Sequence, residues 1–238
     1  MLFKLFVKKI ERALGGLSPA RRIFLSFAGV IFIGSLLLSL PLVQASGSQA
    51  TYFDHLFTTV SMVCVTGLFT QPVATTYNVW GQLICMLLIQ IGGLGLMTFI
   101  GVFYIQGKQK LSLRSRETIQ ESFSYGETRS LKAFMRSIFL TTFLVEGLGA
   151  FLLSFRFIPE FGWGRGIFTS IFLAISAFCN AGFDNFGSSS LVAFQTDLLI
   201  NLVIAGLIIT GGLGFMVWFD LATQFDKKKK RRLRFHTK

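Results

Sequence analysis

The sequence predicts an all-α integral membrane protein built from two tandem span–re-entrant loop–span repeats, and three observations carry that prediction. The first is composition: 52% of the residues are apolar, 15% aromatic and only 14% charged, with a mean hydropathy of +0.63, outside the ordinary soluble range. The second is a set of four apolar stretches, 23–42, 79–105, 137–155 and 198–219, whose one charged residue is Glu146. Roughly 20 apolar residues suffice to cross ~30 Å of hydrocarbon as a helix. The third is an internal repeat at an offset of 115 residues, which pairs Phe53 with Phe168, Phe57 with Phe172, Ser61 with Ser176 and Cys64 with Cys179.

Charge orders these elements across the membrane. Of the 23 Lys and Arg, all but Arg156 and Arg165 fall in three clusters, residues 1–22, 107–136 and 227–238. That is the positive-inside pattern of two hairpins with both termini cytoplasmic. The net charge of +12 therefore reports topology and attraction to anionic lipid in the bilayer, and a nucleic-acid partner is not expected. The chain divides into a cytoplasmic N-terminal segment (1–22), a first repeat (23–106), a cytoplasmic connector (107–136), a second repeat (137–224) and a basic tail (225–238). The basic start, the apolar run after it and Val43-Gln44-Ala45 superficially match a cleavable signal sequence. The apolar run is longer than such signals use, and it shares Gly34 and Leu38-Ser39 with Gly149 and Leu153-Ser154 of the second repeat, so a retained helix is expected.

Between the spans, residues 53–64 give about three turns of helix, too short to cross. Residues 166–183 are uncharged and long enough to pass as a fifth span. One more crossing would put the basic tail outside, so both segments are read as re-entrant. Each ends in a glycine kink, Cys64-Val65-Thr66-Gly67-Leu68 and Cys179-Asn180-Ala181-Gly182-Phe183. Non-helical backbone at membrane depth must be buried in protein or line a wet cavity. A helix C-terminus carries roughly half a negative elementary charge, and carbonyls of the following extended residues can replace water around a cation. A tight turn in a packed loop is the alternative for either kink alone. Asp184 is either a cation attractor at the outer mouth or an ordinary aspartate or cap.

Other residues carry weaker signals. Gly92-Gly93-Leu94-Gly95 and Gly211-Gly212-Leu213-Gly214 recur at an offset of 119. They lie inside what reads as continuous apolar helix, where close packing or a flexible point explains them. Glu146, the intramembrane carboxylate, is expected either to hydrogen-bond a neighbouring helix or to carry a functional charge. The connector is an amphipathic linker or a docking surface. Cys64, Cys85 and Cys179 have no metal or redox spacing and read as small buried side chains. His55 and His236 have no partner pattern. No nucleophile–base set, paired carboxylates or phosphate loop is present in the sequence, so no enzyme activity, cofactor or structural metal is expected.

The ordered segments 56–61 with Val65-Thr66-Gly67-Leu68, 90–99, 174–183 and 210–215 resemble the Trk/Ktr/HKT superfamily of potassium transporters, most closely the bacterial Ktr membrane subunit. The resemblance implies four repeats around a pseudo-fourfold axis, so that this sequence supplies half of a potassium-channel-like pore. It implies one quarter of a selectivity filter at Val65, Thr66 and Gly67 and a second at Asn180, Ala181 and Gly182. Potassium is then the transported ion and sodium an activator or coupled ion. A glycine at both kinks fits the potassium-selective members. The implied partners are a C-terminal half or second membrane subunit, a second copy in a homodimer, and a cytoplasmic ring of nucleotide-binding regulatory subunits. Two readings stay open: potassium uptake as the N-terminal half or fragment of such a subunit, or a non-conducting membrane assembly partner or degenerate fragment that retains the fold.

Overall fold

The computed structural model describes residues 18–95, 131–214 and 217–218. The expected basic tail, most of the N-terminal segment and connector, and the part of the second span beyond Gly95 lie outside the described residues. Within them the chain is helical, without strands; Gln44 and Tyr77 form an isolated antiparallel bridge.

The first half holds α1 (Pro19–Leu38), α2 (Tyr52–Val63) and α3 (Val79–Leu94). Pro19 opens α1, where its missing N–H is no loss. A capping box starts α2: Thr51 and Asp54 satisfy each other's backbone, with Asp54 Oδ2 accepting from Thr51 N at 2.7 Å. Asn78 caps α3 by accepting from Trp80 N and Gly81 N at 2.9 and 3.1 Å. The second half holds α4 (Leu131–Phe161), α5 (Trp163–Phe178) and α6 (Leu198–Gly212). Only Gly162, at φ +80°, separates α4 from α5. Asp197 caps α6 through Ile200 N and pairs with the Arg156 guanidinium of α4.

The three helices of each half pack on one another, and the halves meet where α3 lies against α5. One apolar core runs through this junction, from Leu38, Met62 and Ile89 to Phe172, Phe178 and Leu207.

Among the described residues one helix, Arg136–Phe161, is long and apolar enough to cross a membrane. The other expected spans are apolar helices of shorter described length, Ile23–Leu38, Val79–Leu94 and Leu198–Gly212. The apolar stretch expected over residues 137–155 lies within a helix that runs on to Phe161, where Gly162 at φ +80° breaks the backbone. The expected short helix at 53–64 lies one residue from α2, while that at 166–183 starts earlier, at Trp163.

The glycine clusters differ from expectation. They do not sit inside continuous helix: α3 ends at Leu94 and α6 at Gly212, with Gly95 at φ +76° and Gly214 at φ +80°. At Gly92 a Cβ would lie 2.6 Å from the Val63 carbonyl oxygen, and at Gly211 it would collide with the Phe178 carbonyl. Adding a methyl there forces backbone to move, whereas Gly29 has nothing within 4 Å. Gly92→Ala and Gly211→Ala should each destabilise the fold by about 1–3 kcal/mol. Gly29→Ala, at a mid-helix site, should stabilise it by up to about 1 kcal/mol. Thermal unfolding of the detergent-solubilised protein checks both signs.

Candidate functional site

The site forms where α2 and α5 stop. Each helix ends in the same hydrogen-bonded turn. Cys64 and Cys179 are the C-caps, and Val65 and Asn180 follow in the left-handed region at φ 56° and 57°. Val65 N donates to Met62 O and Thr66 N to Ser61 O, at 3.3 and 2.9 Å; Asn180 N donates to Ala177 O and Ala181 N to Ser176 O, at 3.0 and 2.8 Å. This paired closure is the Schellman motif, which glycine normally serves. Asn tolerates the left-handed region; a β-branched Val there is an outlier costing about 1–2 kcal/mol. Strain of that kind persists only where the surroundings hold it.

Two serines complete the turn. The Ser61 hydroxyl oxygen accepts from Leu68 N at 2.9 Å and from the Thr66 hydroxyl at 2.7 Å. Ser176 Oγ accepts from Phe183 N at 2.8 Å. Each serine thus reaches around its own kink and holds the far side. Neither was assigned a role from sequence, although the offset of 115 that pairs them was the available signal.

The kinks also meet each other. A Cβ on Gly67 would lie 2.9 Å from the Ala181 carbonyl oxygen, and one on Gly182 would lie 3.4 Å from Gly67 Cα. Both glycines have positive φ, 75° and 71°, so a side chain would be strained at each. Of the six sequence-predicted residues, Gly67 of the first kink is thereby brought beside Ala181 and Gly182 of the second. Among the described residues, none of their six carbonyl oxygens accepts a hydrogen bond. The arrangement offers a cluster of unpaired backbone acceptors at two helix C-termini, which favours a positive ion.

Polar groups surround this cluster at three levels. Below it, Glu146 is 5% exposed and its Oε1 accepts from Gln90 Nε2 of α3 at 3.0 Å. Cys179 Sγ lies 4.0 Å from the same oxygen and fills the space that a side chain on Gly93 would occupy. Gly212 lies close to the Asn180 side chain, 3.9 Å from Nδ2 to its ideal Cβ. Beyond the second kink, Asp184 is buried and accepts from Phe186 N and the Ser190 hydroxyl, at 2.9 and 2.6 Å. It braces a loop there and is not a freely solvated carboxylate. At the start of α2, hydrogen bonds from Thr70 and then Thr51 hold the Asp54 carboxyl down to about 2. Thr70 Oγ1 donates to Asp54 Oδ1 at 2.7 Å, so the segment after the first kink is tied back to the helix start.

Two expectations fail here. Cys64 is exposed, unlike buried Cys85 and Cys179, because the cap residue of α2 lies outside the packed face of that helix. His55, read as partnerless, is buried within hydrogen-bond distance of Gln44 and Tyr77; those partners lie 11 and 22 residues away and left no local pattern.

Comparison with known proteins bears on the chain as a whole. The family profile TrkH, described as a cation transport protein, matches residues 24–238. The potassium/sodium uptake protein NtpJ of Enterococcus hirae is 43% identical over 213 residues, covering 90% of this chain and 47% of that protein. Ktr system potassium uptake protein B is 38% identical in both Bacillus subtilis and Vibrio alginolyticus, over 93% and 97% of this chain and 48% and 49% of theirs. The chain spans about half the length of the curated relatives it matches. On the match over residues 24–238, the chain belongs to the TrkH family of cation transport proteins, a family of transporters and not of enzymes.

Proposed function

We propose that this chain forms two adjacent quarters of a potassium-conducting filter, with Val65, Thr66 and Gly67 in one and Asn180, Ala181 and Gly182 in the other. The observation that carries the reading is that, among the described residues, the six carbonyls of these segments accept no hydrogen bond, and that the two segments meet where Gly67 approaches Ala181 and Gly182. An ion arriving there exchanges hydration water for backbone oxygens, and the helix ends stabilise its charge. Passage follows the electrochemical gradient and forms no covalent bond. The names of the relatives support potassium as the ion, and that of the Enterococcus hirae protein adds sodium.

On this reading α2 and α5 are pore helices that enter and leave on the outer side of the cell membrane. The four expected spans cross it within repeats 23–106 and 137–224, and residues 1–22, 107–136 and 225–238 are cytoplasmic. A second half, from another segment or subunit, closes the pore; a homodimer and a cytoplasmic ring of nucleotide-binding regulatory subunits complete the assembly. Sodium acts as an activator or coupled ion. Gly92, Gly93, Gly211 and Gly212 seat the spans beneath the pore-helix ends, while Gly95 and Gly214 are hinge points. Glu146 holds the second pore helix through Gln90 and Cys179.

Expression of the chain, alone and with a second half of the family fold, in a potassium-uptake-deficient bacterium should restore growth at low potassium in the assembled case. No rescue in either case, with the protein present in the membrane, rejects conduction and leaves the non-conducting assembly partner. In the assembled transporter, Gly67→Ser and Gly182→Ser should each lower potassium-over-sodium preference on the order of tenfold, about 1.4 kcal/mol; equal flux ratios would remove these glycines from the ion site. Ser176→Ala orphans the buried Phe183 N–H and should cost about 1–3 kcal/mol in thermal stability, with a parallel fall in selectivity. Glu146→Gln should leave uptake intact, since an amide still bonds Gln90; a loss of uptake would assign Glu146 a charge-dependent role.

A further inference from the structure

His55 on α2 is 1% exposed, and its ring joins three segments of the first half. Nε2 lies 3.1 Å from Gln44 Nε2, in the segment after α1, and Nδ1 lies 2.9 Å from the Tyr77 hydroxyl, in the segment before α3. Gln44 Nε2 also donates to the Ser39 carbonyl at 3.0 Å. A carbonyl can only accept, so Ser39 fixes the Gln44 amide with its NH2 toward both neighbours. His55 Nε2 is then the bare, accepting nitrogen. Nδ1 carries the proton and donates it to Tyr77, which in turn bonds Thr58 on α2. The same two segments are already zipped together: Asn78 Nδ2 donates to Leu42 O at 2.7 Å and Gln44 O at 3.2 Å.

A second proton on this ring enters at Nε2 and faces the Gln44 NH2, so two donors oppose each other. It also places a cation on a buried ring whose one acceptor among the described residues is the neutral Tyr77 hydroxyl. The titratable groups facing His55 are Asp54 on α2 and Tyr77 before α3, with the Cys85 thiol of α3 beyond Tyr77; Gln44 carries no charge. Asp54 is committed to Thr51 and Thr70. Burial pushes His55 below its ordinary 6.5, the larger effect, and the Asp54 charge opposes it. For a base with a lowered pKa, the stabilisation is fully present above the ordinary value and is lost as pH falls through the lowered one. Burial pushes the Tyr77 hydroxyl up, so it stays a neutral donor and acceptor throughout that window.

We propose that His55 is a proton-sensitive latch: neutral, it ties α2 to the segments on either side, and acidification outside the cell releases it and loosens the first kink. His55 is a positioning residue, acting on the kink through α2. The corresponding residue of the second repeat is Ser170, whose hydroxyl donates to the Gly166 carbonyl at 2.7 Å and does not titrate. The latch therefore bears on one kink of the two. Its effect on ion passage rests on the transport reading above; its effect on α2 does not.

The chain has two histidines, so His236→Ala leaves His55 as the one imidazole to observe. Ring-nitrogen NMR of that variant in detergent should show the Nδ1–H tautomer at about pH 7.5 and a titration midpoint below that of free histidine. Gln44→Met removes the opposing donor and should raise the midpoint. An Nε2–H tautomer, or a midpoint indifferent to Gln44→Met, overturns the latch. In the assembled transporter, uptake should fall several-fold between about pH 7.5 and about pH 5.5 outside, and His55→Gln should flatten that profile. Parallel profiles overturn the link to ion passage. Absent uptake in both proteins at neutral pH counts against the transport reading alone, and the ring spectrum still decides the latch.

Discussion

A helix that stops leaves its last carbonyls without intrahelical donors, and the turn that follows decides which of them find a partner. In this chain both short helices solve the problem identically. The next two N–H groups turn back onto the Ser61 and Met62 carbonyls in one half, and onto Ser176 and Ala177 in the other. The serine hydroxyls then take the N–H two residues further on. Closure of each turn thus spends the N–H groups of residues 65, 66 and 68, and of 180, 181 and 183, inward; among the described residues the carbonyls of Val65, Thr66 and Gly67, and of Asn180, Ala181 and Gly182, accept no hydrogen bond. The rest of the fold serves that closure: Gly92 and Gly211 let α3 and α6 come up beneath it, and the core residues Met62 and Phe178 anchor it from behind.

The two copies are alike in backbone and unlike in surroundings. Leu68 is 61% exposed, while its counterpart Phe183 is 2% exposed. Helix α3 lies between the halves, with Gly92 against the end of α2 and Gly93 against Cys179, and two of its polar side chains reach the second half. Gln82 accepts from Asn185 Nδ2 at 3.4 Å near the start of α3, and Gln90 reaches Glu146 below Cys179. The two glutamines make α3 a polar seam in an otherwise apolar helix. A buried carboxylate that has a committed donor costs far less than an isolated one, and the pairing joins α3 to α4 across the two repeats.

Much of this was legible in the residues. The short helices, their repetition and the kinks follow from apolar length, glycine placement and a fixed offset. Caps at Thr51, Asn78 and Asp197 have the residue types that helix starts demand. What was hidden falls into two kinds. Helix ends at Gly95 and Gly214 were missed because hydropathy carries no information about φ, and an apolar run reads the same whether the backbone continues or turns. Side-chain bonds over long separations, such as His55 to Tyr77 or Gln90 to Glu146, leave no periodic trace. Ser61 and Ser176 are an intermediate case: their pairing was visible, but a hydroxyl in an apolar helix bonds its own backbone just as readily, as Ser170 does.

The corner at Gly162 separates the halves in a mechanical sense. In the first half, residues 39–51 lie between α1 and α2. In the second, one residue turns α4 into α5, with Gly162 N bonded to Ile158 O and Gly166 N to Gly162 O, both at 2.8 Å. A connection that short has almost no slack, so α4 and α5 tilt as one lever whose fulcrum is a single pair of dihedral angles. The short helix α2 hangs instead on a leash, whose length must be taken up by side-chain ties. Disturbance of α4 therefore reaches α5 through the backbone as well as through packing, whereas α1 and α2 are coupled by packing and side-chain ties, among them Gly34 against Thr59 and Ser35 to the Tyr52 hydroxyl.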